Sequence, residues 1–143
     1  KFEITNCILT SKLIDGSFPD YQRVIPKENT KSLLVSTKEF KDAVDRVSTI
    51  SIEKSRAVKL SLNKNNLILK VNSHDTGNAS EELEASFDEE PMEIGFNSKY
   101  LLDISSQING KNIKFSLSDS ASPALITDPE QEGIIFVLMP MRV

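Results

Sequence analysis

The residue types that most often carry chemistry are scarce in this sequence. It has no Trp, one Cys and one His among 143 residues. The single Cys7 excludes an internal disulfide, which fits a reducing compartment. With only His74 available, no Cys/His cluster has the spacing of a metal site, and five singly scattered glycines form no phosphate-binding loop. The sequence therefore predicts no metal, no cofactor and no catalytic constellation.

Long hydrophobic runs are also missing. The longest unbroken apolar run has six residues, 134–139, whereas a membrane-spanning helix needs ~20. No signal or transit peptide is recognisable at the start of the chain. The chain begins with Lys1 instead of Met, so we expect a processed product or a piece of a longer protein. The net charge of −4 argues against nucleic acid as the main partner, although a ring or groove can be basic inside and acidic outside.

The end of the chain is its most apolar part. An apolar run extends from Ile134 to Met139 before Pro140 interrupts it. A strand with one solvated face would alternate apolar and polar residues, so this run predicts a strand that is covered on both faces. One cover is the core of the same domain. The other is supplied either by this chain or by a partner.

The predicted elements occur twice in the same order. Residues 2–14 predict a short hairpin, and residues 15–31 a connection. Residues 31–90 and 91–139 then each predict a strand, a helix and three strands, which is an internal structural repeat. The predicted strands cover residues 32–35, 57–62, 67–71, 81–87, 92–96, 113–117, 124–127 and 134–139. The sequence therefore predicts an α+β fold with mostly antiparallel strands and both helices on one side.

Each predicted helix has a capping signal and an amphipathic face. Ser36 and Glu39 form a capping-box pattern before a helix over 37–50. Asn97 or Ser98 caps the second helix, which Gly110 ends. The apolar residues predicted to face the core recur at helical spacing. They are Phe40, Val44, Val47 and Ile50 in the first helix, and Tyr100, Leu101, Ile104 and Ile108 in the second.

Two charged features leave alternatives open. Glu81 and Glu82 lie in a strand pattern, which indicates either a solvated face or an edge that pairs with a basic partner surface. Lys38 and Lys41 share a face of the first helix. They form either an ordinary solvated face or a weak, sequence-independent contact with phosphates.

Three separated segments resemble a known family. Residues 10–26 read TSKLIDGSFPDYQRVIP, residues 92–97 read MEIGFN before the helix with Tyr100, and residues 139–143 read MPMRV. In this order they resemble the bacterial sliding clamp, the beta subunit of the replicative DNA polymerase. The resemblance covers essentially the whole chain. It implies a domain with two helices and two four-stranded sheets, present three times in the family's chain.

The resemblance also implies domain limits and a function. Residues 1–21 would be the end of the middle clamp domain, and residues 22–143 the C-terminal clamp domain. Two full-length chains would join head to tail as a homodimeric ring around duplex DNA, whereas this piece alone would be monomeric. The ring would be a non-catalytic processivity factor in the bacterial cytoplasm. It would tether the polymerase catalytic subunit, the clamp loader and repair polymerases through their short clamp-binding motifs.

A hydrophobic peptide-binding cleft is the main site that the resemblance implies. Methionines suit such a cleft because flexible, polarisable side chains accept several ligands, and Arg142 offers a charged donor at the rim. One departure is Ser55, since many relatives place a Phe there after a Glu-Lys pair. The implied cleft residues are Pro19, Arg23, Val24, Asn97, Tyr100, Ala121, Pro123, Val137, Leu138, Met139, Pro140, Met141, Arg142 and Val143.

The same resemblance implies two further surfaces. One alternative function, independent of the resemblance, is also open. The implied surfaces are Thr49, Ile50, Glu81 and Glu82 for closing the ring, and Lys38 and Lys41 for facing the DNA. The alternative is a stand-alone interaction domain, unrelated to DNA, that dimerises through its apolar C-terminal strand.

Overall fold

A computed structural model describes residues 1–18, 20–50, 56–73 and 77–142 of the protein. Predictions that concern Pro19, Ser55, His74 and Val143 lie outside the described residues. In chain order the elements are β1 (Phe2–Ile4), β2 (Cys7–Leu9), a short 3-10 helix (Tyr21–Arg23), β3 (Lys31–Ser36), α1 (Thr37–Ser48), β4 (Ala57–Asn63), β5 (Asn66–Ser73), β6 (Gly77–Ser86), β7 (Met92–Asn97), α2 (Ser98–Ser105), β8 (Asn112–Leu117), β9 (Ala124–Thr127) and β10 (Ile135–Leu138).

No helix in the described part of the chain is both long and apolar enough to span a membrane.

Alternation of apolar and polar residues explains the strands around the core. In β8, Ile113, Phe115 and Leu117 are buried, and the residues between them are only partly buried. Successive side chains of a strand point to opposite faces, so one face of β8 belongs to the core. β6 begins four residues earlier than predicted, at Gly77, because its first residues pair with the end of β5.

Helix α1 begins where the sequence predicts. The Ser36 hydroxyl accepts a hydrogen bond from the Glu39 N–H at 3.4 Å, which satisfies one of the free donors of the first turn. The Phe40 ring meets the Phe115 ring edge-on, with centroids 5.3 Å apart, and anchors the helix on β8. The buried residues of α1 are Thr37, Phe40, Ala43, Val44 and Val47.

Helix α2 is shorter than predicted, and one of the four residues predicted to face the core is exposed. Asn97 caps it, but the helix ends at Ser105 and does not run to Gly110. The prediction that Tyr100 faces the core is wrong, because its side chain is 54% exposed. The burial predicted for Leu101 is confirmed, and Tyr100 differs because neighbouring residues of a helix point about 100° apart.

The two halves of the domain exchange their first strands. The sheet order is β10-β9-β8-β3-β6-β5-β4-β7. β3 therefore pairs with β8 of the second half, and β7 pairs with β4 of the first half, both antiparallel. Each half follows the order strand, helix, three strands, which confirms the predicted repeat. Each four-stranded group, however, is completed only by a strand from the other half.

Two equivalent short contacts join these four-stranded groups. β3 meets β6 at the pair Leu34 and Ser86. β7 meets the tail that follows β10 at the pair Gly95 and Met141. Leu34 and Gly95 are each the fourth residue of their strand, so the two halves have the same contact at the same position.

The beginnings of the two helices repeat a contact in the same way. The Thr37 N–H donates to the Lys111 carbonyl at 2.9 Å, and the Ser98 N–H donates to the Arg56 carbonyl at 2.8 Å. Both donors are first residues of a helix, where backbone N–H groups lack a partner within the helix. The domain is thus built on an approximate two-fold symmetry.

The N-terminal hairpin is shorter than predicted, and its apolar side chains are exposed. The paired residues of β1 and β2 run from Phe2 opposite Leu9 to Ile4 opposite Cys7. The hairpin therefore does not extend to residue 14. Phe2 and Ile4 are 71% and 74% exposed. An isolated two-stranded hairpin is only marginally stable in water, so this element lacks the packing that hairpins normally need.

Strand β10 is covered on one face only. It pairs with β9 at one edge of the sheet. Leu138 is 6% exposed, but Ile135 is 46% and Met139 58% exposed. The described part of the chain therefore covers one face of this apolar strand and leaves the other open, so the second predicted cover is not supplied by these residues.

A buried carboxylate organises the loop between α2 and β8. Asp128, 6% exposed, accepts hydrogen bonds from the N–H groups of Glu130 at 2.9 Å, Gly110 at 2.9 Å and Asn109 at 3.2 Å. These donors, led by Glu130 and Gly110, lower the pKa of Asp128. A Cβ at Gly110 would lie 2.2 Å from the Asp128 Oδ1 atom. Gly110 is therefore needed for the carboxylate to approach and does not end the helix.

We expect Asp128→Asn to lower the melting temperature at neutral pH, because an amide offers one acceptor oxygen and turns its NH₂ towards backbone donors. The folded pKa of Asp128 is lowered, so its stabilisation is present above the unfolded pKa of ~3.9 and is lost as pH falls through the lower folded value. The difference between wild type and variant should shrink on acidification below about pH 4. Thermal unfolding by circular dichroism across pH measures this.

The control is Asp103→Asn on the exposed side of α2, which should change the melting temperature little at any pH. A difference between wild type and Asp128→Asn that stays constant from neutral to acid pH would contradict the role of the charge.

Candidate functional site

A groove runs beneath the C-terminal tail. It encloses about 740 Å³ between β7, the turn after β8 and the tail. Four residues of the implied cleft line it, namely Ala121, Pro140, Met141 and Arg142. The fold thus brings the turn after β8 together with a tail about twenty residues further along the chain.

The tail is held over the groove by one backbone contact. Pro140 lacks an N–H and ends β10. The Met141 N–H then donates to the Gly95 carbonyl at 2.8 Å. Gly95 lies opposite Lys59 in the β4–β7 register, so the tail contacts the strand next to this lysine.

The side wall of the groove carries an ion pair. Glu93 accepts hydrogen bonds from the Lys59 Nζ at 2.8 Å and the Ser61 Oγ at 3.1 Å. The Lys59 ammonium, and then the Ser61 hydroxyl, lower the pKa of Glu93. The carboxylate therefore stays ionised around neutral pH, and it neutralises Lys59 in the absence of a ligand.

Arg142 is the charged residue of the tail. Its side chain is exposed, and no salt bridge among the described residues involves it. A guanidinium without a partner at the mouth of a groove offers donors to a carboxylate or carbonyl of a ligand.

Two other implied cleft residues line a neighbouring groove. This second groove encloses about 610 Å³ and is lined by Arg23 and Pro123, among others. The Asn29 side-chain amide donates to the Ser116 carbonyl at 2.8 Å and to the Pro123 carbonyl at 2.9 Å, which attaches the connecting segment to the sheet. The structure thus divides the implied cleft between two grooves.

The remaining implied cleft residues have different surroundings. Val24 and Tyr100 are 49% and 54% exposed, whereas the Leu138 side chain is buried and belongs to the core. The Asn97 Oδ1 accepts the Lys99 N–H at 3.0 Å as the cap of α2. Val137 is partly buried and Met139 exposed.

The implied ring-closing residues lie close together at one edge. The Arg46 Nε of α1 donates to the Glu81 Oε2 of β6 at 3.0 Å, and Glu82 accepts from the Asn66 side-chain amide. Thr49 is exposed just beyond the end of α1. β6 pairs with β5 along its length and with β3 only at its last residues, so its outer edge is mostly open in the described chain.

The implied DNA-facing lysines lie on the helical side. The Lys38 Nζ contacts the Asp42 carboxylate at 2.7 Å, and this partner raises the pKa of Lys38. Lys41 is exposed. Both lysines line a groove of about 380 Å³ that also includes Lys111, so a third lysine from the α2–β8 loop joins them.

Lys59, Glu93 and Ser120 are site residues that sequence reasoning missed. Strand alternation already places Lys59 and Ser61 on one face of β4. Their meeting with Glu93 depends on the register between β4 and β7, which alternation does not reveal. Among the described residues, no group of three or more His, Cys, Asp or Glu side chains could hold a metal ion.

Solved structures of DNA polymerase sliding clamps share this fold. The DnaN sliding clamp from Bartonella birtlesii, bound to griselimycin, superposes with a TM-score of 0.90 and 53% identity, over 93% of this chain and 36% of that chain. The clamp from Caulobacter crescentus gives a TM-score of 0.88 and 50% identity, over 93% of this chain and 35% of its own.

Sequence comparison identifies the family. The family described as DNA polymerase III beta subunit, C-terminal domain, matches residues 22–142. The beta sliding clamp of Caulobacter vibrioides is 51% identical over 143 residues, which is all of this chain and 38% of the relative. That of Escherichia coli K12 is 39% identical over 135 residues, 94% of this chain and 37% of the relative. The chain belongs to the DNA polymerase III beta subunit family and spans little more than a third of these curated relatives.

We expect Met141→Pro to release the tail, because proline has no N–H to donate to Gly95. NMR relaxation of the Arg142 amide should report an order parameter below about 0.6 in this variant, the range of flexible backbone. Met141→Ala keeps the N–H and should leave the order parameter close to that of wild type. Equal values in all three proteins would contradict the role of this hydrogen bond.

Proposed function

We propose that this chain is the C-terminal part of a bacterial sliding clamp, with residues 22–143 forming the C-terminal domain and residues 1–21 the end of the middle domain. Two observations support these limits. The family match begins at residue 22, and the apolar side chains of the hairpin, such as Phe2, are mostly exposed. In the whole clamp, the rest of the middle domain would cover them.

The function that we infer is that of a non-catalytic processivity factor. Two full-length chains form a head-to-tail ring around duplex DNA in the bacterial cytoplasm. The ring tethers the polymerase catalytic subunit, the clamp loader and repair polymerases to DNA. The relatives named beta sliding clamp support this function. The observation that carries it is the groove where Ala121, Pro140, Met141 and Arg142 converge.

This groove and the surfaces beside it would receive the short binding motifs of those partners. Val24, Tyr100 and Met139 are large apolar residues that are about half exposed, and exposed apolar surface often marks an interaction site. Arg23 and Pro123 extend the surface into the neighbouring groove. Leu138 contributes through its backbone, because its side chain is buried.

The other proposed surfaces belong to the ring. Lys38 and Lys41 would contact DNA phosphates without reading sequence. Thr49, Ile50, Glu81 and Glu82 would meet the first domain of the second chain. The open edge of β6 supports this assignment, since unpaired strand edges readily accept another strand. The pair of Arg46 with Glu81 fixes the helix end beside that edge.

We expect a peptide rich in Gln, Leu and Phe to bind this chain with micromolar affinity, and removal of residues 139–143 to abolish the binding. The truncation deletes the tail side of the groove and the Met141 contact with Gly95. A rise in Kd of at least tenfold, ~1.4 kcal/mol, should be measurable by fluorescence anisotropy.

The matched control is a chain without residues 1–9, which contain the hairpin strands β1 and β2. This deletion should leave the peptide affinity unchanged. Circular dichroism confirms that both shortened chains are folded. Unchanged affinity after removal of the tail would refute the assignment of the groove.

A second candidate is a stand-alone domain that forms a homodimer through β10, and the exposed Ile135 of that edge strand favours it. The clamp proposal expects this chain to remain monomeric at micromolar concentration, because ring closure needs a domain that the family supplies elsewhere. Sedimentation velocity measures the mass. A stable dimer that Ile135→Lys dissolves would favour the second candidate.

A further inference from the structure

We propose that the groove beneath the tail selects partner segments that carry a carboxylate next to their apolar anchor, with Arg142 attracting the carboxylate and Glu93 limiting that attraction by neutralising Lys59. This inference rests on the proposed docking function of the groove. It adds the charge of the preferred partner and names a residue that tunes this preference.

The charges around the groove favour an anionic ligand. Lys59 lies opposite Lys70 in the β4–β5 register, so two ammonium groups share this face of the sheet. Arg142 adds a third cation at the mouth. Among the described residues that line the groove, Lys59 and Arg142 are cationic and Glu93 is the one carboxylate, so the lining carries one excess positive charge.

A second carboxylate, Asp119, lies in the turn that supplies Ser120 and Ala121 to the groove. Asp119 accepts the N–H groups of Ala121 and Ser122, each at 2.7 Å, and the Ser122 hydroxyl at 2.8 Å. Its oxygens are directed to the backbone that shapes the groove. These donors lower the pKa of Asp119, so it stays ionised. Counted with Glu93 it makes two carboxylates, against the three cations Lys59, Lys70 and Arg142, so one positive charge remains in excess.

Glu93 competes with a ligand carboxylate for the Lys59 ammonium group. Glu93 holds Lys59 at 2.8 Å and is itself fixed by Ser61. The pair is partly exposed, so water screens it and a ligand can compete for Lys59. An uncharged side chain at position 93 would leave Lys59 free and would remove a negative charge that repels the ligand.

The occupant is therefore an extended peptide with an apolar anchor and an acidic flank. A groove of about 740 Å³ can hold several side chains, and pockets of this size bind ligands through apolar walls with a few polar groups. Pro140, Met141 and Ala121 supply the apolar side, and Arg142 the polar one.

The test uses three synthetic peptides with the same Gln-Leu-Phe anchor, flanked on both sides by Glu, Gln or Lys. Fluorescence anisotropy gives each Kd at low and high salt. Wild type should bind the Glu peptide about fivefold more tightly than the Gln peptide at low salt, and the Lys peptide least. The preference should fall at high salt because screening weakens exposed charges.

Three variants separate selectivity from general damage. Arg142→Gln should bring the ratio of the Gln-peptide Kd to the Glu-peptide Kd towards one. This ratio reports charge selection even if the substitution weakens the binding of both peptides equally. Glu93→Gln should raise this ratio above the wild-type value. Lys64→Gln removes a cation that pairs with Asp88 elsewhere and should leave both affinities unchanged.

The outcomes distinguish this inference from the proposed function. Equal binding of the Glu and Gln peptides, preference for the Lys peptide, or a lower ratio in Glu93→Gln would overturn the charge selection while the docking site stands. Failure of all three peptides to bind would overturn the docking site and the inference together.

Discussion

The exchange of first strands between the two halves is the constraint on which the rest of this domain depends. β3 completes the group formed with β8, β9 and β10, and β7 completes the group formed with β4, β5 and β6. Neither half can close its own core without the other. The exchange places Glu93 and Gly95 of β7 against Ser61 and Lys59 of β4. It also brings the start of α2 next to the Arg56 carbonyl.

The two symmetry-equivalent contacts have diverged in chemistry. At the contact of Leu34 with Ser86 the chain continues into the buried Phe87, and a groove of about 480 Å³ there includes Asn65 and Glu84. At the contact of Gly95 with Met141, by contrast, Pro140 ends strand β10. The groove beside this contact is lined by Ala121, Met141 and Arg142, among others. One backbone arrangement thus borders two grooves with different lining residues, Asn65 and Glu84 in the first half and Met141 and Arg142 in the second.

The remaining surfaces of the domain differ by charge. Lysines from α1 and from the α2–β8 loop gather at one groove on the helical side, whereas Glu81 and Glu82 lie on the open edge of β6. The net charge of −4 therefore averages over surfaces of opposite sign. Under the proposed function, the lysine groove would lie on the inner side of the ring and the acidic strand at its edge.

Local sequence determined the elements, because hydrophobic periodicity and capping act over a few residues. The repeat, the cap at Ser36 and the strand with Phe115 follow from it, and three family motifs pointed to the clamp. The tertiary structure decided which residues far apart in the chain meet, because periodicity describes only neighbouring residues. Tyr100 proved exposed because Leu101 takes the core, and Gly110 serves the Asp128 carboxylate, eighteen residues further on. The meeting of Lys59 with Glu93 required the exchanged strand, since a register between distant strands leaves no local signal.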